Sequence, residues 1–534
     1  MRPFHAVLVA AAASAAPFSL SLFVACSGSN NNAGDAGSDA ANDGFAKGDH
    51  ASSSSGGEGG MVVGPTGKQI VTTMNLLQVD AVTTDGQVIY TDTTNNNVYA
   101  VPIAGGTPAM IVPNVSSNAV VGASGPVALI WANTGSGTVG QLTVWTAAHG
   151  PQMLSMKSTV GAAVSKDNTH IAYLDNSTAT STAIAVAGVD GTGKQTLVMS
   201  AFVGTKCAVA VGFAANDALA SYCPAAPGGD AGAEIGTLTR YSGSSWTPTN
   251  ISTATQAGAF VANSTGDHVL FYDSAGLEAY NIAGATTAVI DPNPLDFIVT
   301  PDGSKVVYST AIPGVDGGAT TIGPFKVSPI ASPSPTMLGT GLYGFYAISP
   351  DGNWVLGESS PPAMNTNFTD SLLASSTTAG TPQKLNSMQN SSPIGDSFTT
   401  DSKFAIYTDT IMQKMTMSGA VTAGNLNAVA TTGMATPLAL NPMMASDVWQ
   451  NAAGPGSKII YNPNWNAPTM FGFGTADLME IDMSQSAPAG KVLVTQADAN
   501  FFLTTDHATI AYSYSVGATG QPSSMSGLWA MPVP

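Results

Sequence analysis

Val299-Thr-Pro-Asp302-Gly-Ser-Lys-Val-Val-Tyr308 holds an apolar approach, an Asp-Gly turn and an apolar strand ending in tyrosine. Asp accepts hydrogen bonds from the backbone ahead of it, and Gly takes the positive φ of a tight turn, so the phrase is a β-hairpin. It recurs along the chain. Copies are Val82-Thr-Thr-Asp85-Gly-Gln-Val-Ile-Tyr90, Val164-Ser-Lys-Asp167-Asn-Thr-His-Ile-Ala-Tyr173 and Val261-Ala-Asn-Ser-Thr-Gly266-Asp-His-Val-Leu-Phe-Tyr272. Ile348-Ser-Pro-Asp351-Gly-Asn-Trp-Val-Leu356, Phe398-Thr-Thr-Asp401-Ser-Lys-Phe-Ala-Ile-Tyr407 and Leu503-Thr-Thr-Asp506-His-Ala-Thr-Ile-Ala-Tyr512 follow. Degenerate copies fall near 120–131, 207–223 and 437–461.

Two further short strands follow each hairpin, as in Asn97-Val-Tyr-Ala-Val-Pro102 and Pro108-Ala-Met-Ile-Val112. Four strands in every ~45 residues, without amphipathic helices, is the pattern of a β-propeller blade. Runs such as Val127-Ala-Leu-Ile-Trp131 do not alternate, as expected of strands covered on both faces by neighbouring blades. The expected fold is therefore an all-β propeller with about ten units, in one wide ring or two smaller ones. The last unit stops after three strands at Gly527-Leu-Trp-Ala-Met-Pro-Val-Pro534, and Lys68-Gln-Ile-Val-Thr-Thr-Met74 precedes the first. This N-terminal strand is expected to close the ring and remove its edges.

The Ser/Thr-Pro-Asp-Gly copies at 300–303 and 349–352 resemble the repeats of TolB-like propellers, also found in the propeller domain of prolyl oligopeptidases. The resemblance covers nearly all of 68–534 and implies fold rather than activity. A TolB protein carries an extra α/β domain before its propeller; here a spacer stands in that place.

Composition narrows the function. The 534 residues hold 15 Lys+Arg against 33 Asp+Glu, a net charge of −18 with only 9% charged residues and 44% hydrophobic ones. The apolar content excludes wholesale disorder, and the shortage of cations excludes a nucleic-acid binder. Residues 1–26 read as a signal peptide, with an apolar run ending Leu22-Phe23-Val24-Ala25-Cys26. The run resembles a bacterial lipoprotein signal, which implies acylation of Cys26; Ser27 after it implies the outer membrane. A plain signal peptide or an uncleaved span are the alternatives. Residues 27–67, rich in Asn, Gly and Ser, are expected to be a flexible tether before the 68–534 body. Cys207 and Cys223 flank a turn at 215–217 and are expected to form a disulfide in an oxidising compartment, the alternative being two buried thiols.

Chemistry is sparse. His170, His268 and His507 share one repeat position at the hairpin turn, which marks them as turn residues; His149 also sits in a turn. Gly135-Ser-Gly137-Thr-Val-Gly140 joins two strands and opens no helix, which excludes a nucleotide loop, and Gly395-Asp-Ser397 lacks the context of an esterase. Met412, Met415 and Met417 form a thioether group better read as packing than as a copper site. Long insertions at 224–234, 312–321, 360–369 and 462–475 all lie between second and third strands, and so on one face. The last contains Trp465, Met470, Phe471 and Phe473, candidates for contacting a protein or a sugar ring, or for burial against their own blade. The leading expectation is an exported, lipid-anchored, monomeric binding or scaffold propeller, touching the membrane through its lipid alone. No catalytic residue, metal or cofactor is assigned. Alternatives are a lactonase- or lyase-like propeller enzyme using acids around the central funnel, with or without Ca²⁺, and a purely structural envelope protein.

Overall fold

A computed structural model describes residues 64–534 apart from 116–118, 134–138, 204–207, 224–234, 313–320, 360–371, 379–380, 386–396, 417–418, 433–437, 442–450, 464–474, 499 and 516–522. The chain is a propeller of antiparallel blades, whose strands we label a to d from the axis outward. Blade 1 comprises Leu77–Val82, Gln87–Asp92, Asn97–Pro102 and Ala109–Val112. Blade 2 runs from Val120–Ser124 to Gly150–Ser158 and blade 3 from Ala162–Val164 to Gln195–Phe202.

Blades 4 and 5 are continuous. Strand Thr247–Ala262 pairs along its first half with Ile235–Ser242 as the outer strand of blade 4, then with His268–Asp273 as the inner strand of blade 5. Blade 6 runs from Pro294–Val299 to Thr336–Thr340, blade 7 from Gly344–Ile348 to Gln383–Lys384, and blade 9 from Asn451–Ala453 to Lys491–Asp498. In blade 8 the described residues of the inner position make one bridge, Phe398 to Ala405, beside Phe404–Thr416, Gly419–Ala430 and Leu438–Asn441.

Blade 10 settles how the chain closes. It holds Phe501–Leu503, Thr509–Tyr514 and Gly527–Pro532, and its outer strand is Lys68–Thr72, paired Lys68 to Ala530 and Thr72 to Gly527. The expected N-terminal closure is present. Contacts of the body begin at Thr66, whose carbonyl accepts a 2.6 Å bond from the Tyr512 hydroxyl.

One ring, not two, follows from the core. Ile89, Val98 and Ile111 of blade 1 pack on Ile130 and Trp145 of blade 2. Leu270, Leu277 and Ile290 of blade 5 pack on Val306 and Tyr308 of blade 6, across the point where two half-rings would part. Val79, Val88 and Val101 of blade 1 pack on Ala511 and Leu528 of blade 10. The remaining clusters likewise join successive blades, so the described residues make one circuit of ten. Tyr173, Tyr308, Tyr407 and Tyr512, the tyrosines that end the repeated phrase, are fully buried in these interfaces. The Tyr407 hydroxyl donates to the Leu385 carbonyl of the preceding blade at 2.7 Å. A buried phenol usually finds such a partner.

Each a–b turn contains one positive-φ residue, between 51° and 77°. Glycine holds six of these positions; Asn168, Ala215, Ser402 and His507 hold the rest. The turn is wired by side chains. Thr300 Oγ1 donates to Asp302 Oδ1 (2.6 Å) and accepts the Lys305 N–H (3.0 Å), while Asp302 Oδ1 also accepts the Ser304 N–H (3.0 Å). The same arrangement recurs at Ser165/Asp167, Ser349/Asp351, Thr399/Asp401 and Thr504/Asp506.

Turns also touch the next blade. The Thr84 N–H donates to the Gly125 carbonyl, Lys166 N–H to that of Ala215, and Asn263 Nδ2 to that of Gly303. Gly266 shows why glycine recurs there: its φ is +76°, and a Cβ would lie 2.4 Å from the backbone nitrogen of Ala215. We expect Gly266→Ala to destabilise by at least about 1–3 kcal/mol, from the left-handed backbone and the clash together. Urea unfolding checks it, and an unchanged midpoint would contradict this turn-to-turn contact.

Candidate functional site: the axial channel

The a strands surround the axis. Val120, Val121, Val211, Phe297, Phe345 and Phe502 lie on them, packed between blades yet partly exposed. Against this apolar background the acids stand out. Asp80, on the bulge between Val79 and Ala81, is enclosed by protein with a remnant of solvent contact; burial pushes its carboxyl up to about 7 despite a 2.6 Å bond from Thr91 Oγ1. Burial also pushes Asp498, at the end of blade 9, up to about 6, with Ser515 Oγ 2.9 Å away.

The densest group spans blades 5 to 7. Asp296 follows the bulge at Leu295 and pairs with Ser309, accepting the Phe297 N–H on Oδ1 (2.9 Å) and the Phe345 N–H on Oδ2 (2.7 Å). Burial raises its pKa, and these two bonds oppose the rise. Glu358 ends the b strand of blade 7, buried, and its Oε2 accepts the Tyr346 hydroxyl at 2.8 Å. Tyr346 is 41% exposed, which opens this group to solvent. Gly344 lies between the acids: a Cβ there would sit 3.0 Å from Glu358 Oε1 and 3.3 Å from Asp296 Oδ2. Tyr272 of blade 5 stands edge-on to Phe297, centroids 5.2 Å apart. Burial, then the Asp296 carboxylate, drives its hydroxyl well above the ordinary phenol range.

The turn carboxylates behave oppositely. The Thr300 hydroxyl holds Asp302 below the usual carboxylate range. At Asp167, Asp351 and Asp401 burial is the largest single influence and pushes upward, but the combined hydrogen bonds outweigh it. At Asp267 the same balance brings the carboxyl down to about 2, with Thr265, His268 and Asn263 as donors. These acids are spent on turns.

The histidines have structural neighbours. His268 is buried, with Nδ1 2.8 Å from Asp267 Oδ1; His170 packs edge-on to Trp246; His507 Nδ1 lies 2.8 Å from the Ala453 carbonyl of blade 9; and His149 Nδ1 lies 3.2 Å from Thr146 Oγ1. Cys223 is buried at the end of its strand, and its carbonyl accepts the Phe202 N–H at 3.0 Å. Cys26, Cys207, Trp465, Met470, Phe471, Phe473 and Met417 lie outside the described residues, as do most of the four insertions. Sequence reading missed one projection on that same face: the b–c hairpin of blade 8, with strands of 13 and 12 residues. Among the described residues no group of three or more His, Cys, Asp and Glu is placed to hold a metal.

No family model matches the sequence, and no curated protein matches it. Solved structures do. A eukaryotic initiation factor is 13% identical, with TM-score 0.45, over 72% of this chain and 90% of that one. An oligogalacturonate lyase in complex with manganese is 13% identical, with TM-score 0.34, over 65% of this chain and 95% of that one. TolB from Acinetobacter baumannii is 14% identical, with TM-score 0.28, over 58% of this chain and 79% of that one. At such identities the likeness concerns fold alone.

Proposed function

We propose that this chain is an exported, lipid-anchored propeller that binds a protein or glycan partner without chemistry. The observation that supports it is where the N-terminal strand enters the ring. Lys68 pairs with Ala530 at the a–b turn end of blade 10, and Thr72 with Gly527 at the b–c end. The N–H of Val533, just past the c strand, donates to Ala508 in the a–b turn. Residues 64–67 therefore sit on the a–b turn face, at the outer rim. A tether at 27–63, acylated on Cys26, would hold that face toward a bilayer and point the b–c insertions away from it. On this reading Trp465, Met470, Phe471 and Phe473 meet the partner, the protein works as a monomer without cofactor, and Cys207 pairs with Cys223 to pin the base of the 224–234 insertion.

Intact-mass measurement of the exported protein tests the covalent part. We expect acyl mass on Cys26, lost in Cys26→Ala together with membrane fractionation, and no iodoacetamide adduct until reduction, then two. Unacylated Cys26, or thiols that alkylate without reduction, would refute the corresponding assignment. For binding, the triple variant Trp465→Ala/Phe471→Ala/Phe473→Ala is expected to lose pull-down of the partner at unchanged melting temperature; retained pull-down would remove these residues from the binding face.

A further inference from the structure

We propose that the outermost strands carry a belt of methionines that consumes two-electron oxidants and so protects the methionines buried between blades. The inference is independent of any binding partner. Met110, Met153, Met156, Met199 and Met337 lie on the d strands of blades 1, 2, 3 and 6 and are 47–83% exposed. Methionine is ordinarily a core residue. Here, of the ten whose side chains are described, six are exposed, counting Met74 in the link from the closing strand to blade 1. Leucine, an apolar residue of similar volume, behaves otherwise: among the described residues Leu76 alone is exposed. Apolar character therefore does not account for the pattern; something particular to methionine does.

That property is the thioether lone pair. An outer strand has no strand beyond it, so threonine, or a charged residue guarding the edge, would suit an outward position. Methionine adds a sulfur open to attack on an oxidant, and its sulfoxide, being polar, meets only water there. The buried methionines have the opposite setting. Met483 and Met531 are 7% exposed, packed in the interfaces of blade 9 with blades 8 and 10. Met531 Sδ also accepts the Thr66 hydroxyl at 3.4 Å on the closing seam. A sulfoxide at either site would force a polar oxygen into a filled core. With hypochlorous acid the sulfur lone pair bonds to chlorine as the O–Cl bond breaks, and water then displaces chloride. Methionine loses two electrons and gains one oxygen, while the oxidant leaves as chloride and a net proton is released.

Graded additions of hypochlorous acid to the full-length protein test the belt, with site-resolved peptide mass spectrometry and melting temperature read on the same samples. We expect sulfoxide first at Met110, Met153, Met156, Met199 and Met337, at unchanged melting temperature. Met483 and Met531 are expected to oxidise only at higher doses, together with a fall in melting temperature. A variant carrying glutamine at all five rim positions removes the sulfurs and keeps polar side chains of similar length. It should melt like the parent before treatment, since the positions are exposed. It should then oxidise at Met531 and lose stability at roughly half the parent's dose or less, because the rim no longer consumes oxidant. Met199→Gln alone, at the most exposed position, gives a smaller shift in the same direction and guards against a five-fold variant that fails to fold. Oxidation of Met483 or Met531 as early as the rim, rim methionines that stay unoxidised, or glutamine variants that withstand the parent's dose would each overturn the proposal.

Discussion

Excising residues 68–72 from the full-length chain is expected to lower the melting temperature more than any point substitution in the protein. The strand supplies the whole outer edge of blade 10 and joins the two ends of the chain. Its loss removes Ile70, 6% exposed, from the cluster it forms with Val79, Val88 and Leu528, and leaves the edge of Gly527–Pro532 unpaired. It also displaces Thr66, stranding the buried Tyr512 hydroxyl. Apolar burial and hydrogen bonding together put the loss on the order of 5 kcal/mol. A bare strand edge also invites pairing with another chain, so aggregation should accompany it. Gly527→Ala attacks the same seam from the other side: its φ is +141°, and a Cβ would lie 1.9 Å from the Val71 carbonyl. A synthetic peptide spanning 64–74, added to the excised protein, should restore part of the lost stability. Differential scanning calorimetry reads all three, and an excised protein that melts like the parent would show that closure contributes nothing.

The second large effect is on pH. Asp80 has a folded-state pKa raised to about 7 from 3.8, so folding favours its protonated form. Its contribution is fully present below about pH 4 and lost as pH rises to 7, by up to roughly 4 kcal/mol. Asp498 and Glu278, raised to about 6 and about 7 by burial, act in the same direction, and so does Asp296. The turn acids have the opposite sign. Asp167, Asp267, Asp302, Asp351, Asp401 and Asp506 have lowered pKa values, so their contribution holds above about pH 4 and disappears as pH falls toward 2. Stability should therefore peak near pH 4–5, fall toward pH 7 and fall again toward pH 2. Asp80→Asn should raise the melting temperature at pH 8 and barely change it at pH 4.5. A flat profile between pH 4.5 and 8, unaltered by the substitution, would mean that Asp80 is not desolvated.

The hairpin phrase made the blades readable because each copy carries its own local reason to turn. Thr300, Asp302 and Gly303 satisfy one another within six residues, and the same logic holds at Thr504, Asp506 and His507. Even the weak copies kept a positive-φ residue, Gly125, Ala215 and Gly456, without the aspartate. What local sequence did not disclose depends on geometry across blades. Nothing near Thr247–Ala262 signals that one strand serves two blades, since the switch is a register break between Thr255 and Phe260. The pairing of acids beside Gly344 was equally hidden. Asp296, Gly344 and Glu358 come from two blades and meet where bulges between Pro294 and Asp296 and between Phe345 and Ala347 turn the inner strands. The expectation of acids at the funnel named no residues for this reason: an isolated Asp in an apolar strand looks the same whether it faces a channel or a neighbour.

Cryo-electron microscopy of the purified body, viewed in projection down its axis, would put the architecture itself to the test. The interfaces described above require a single annulus of ten wedges around one central opening, with no break between the fifth and sixth or between the tenth and first. Two smaller rings side by side, or an open arc, would contradict them.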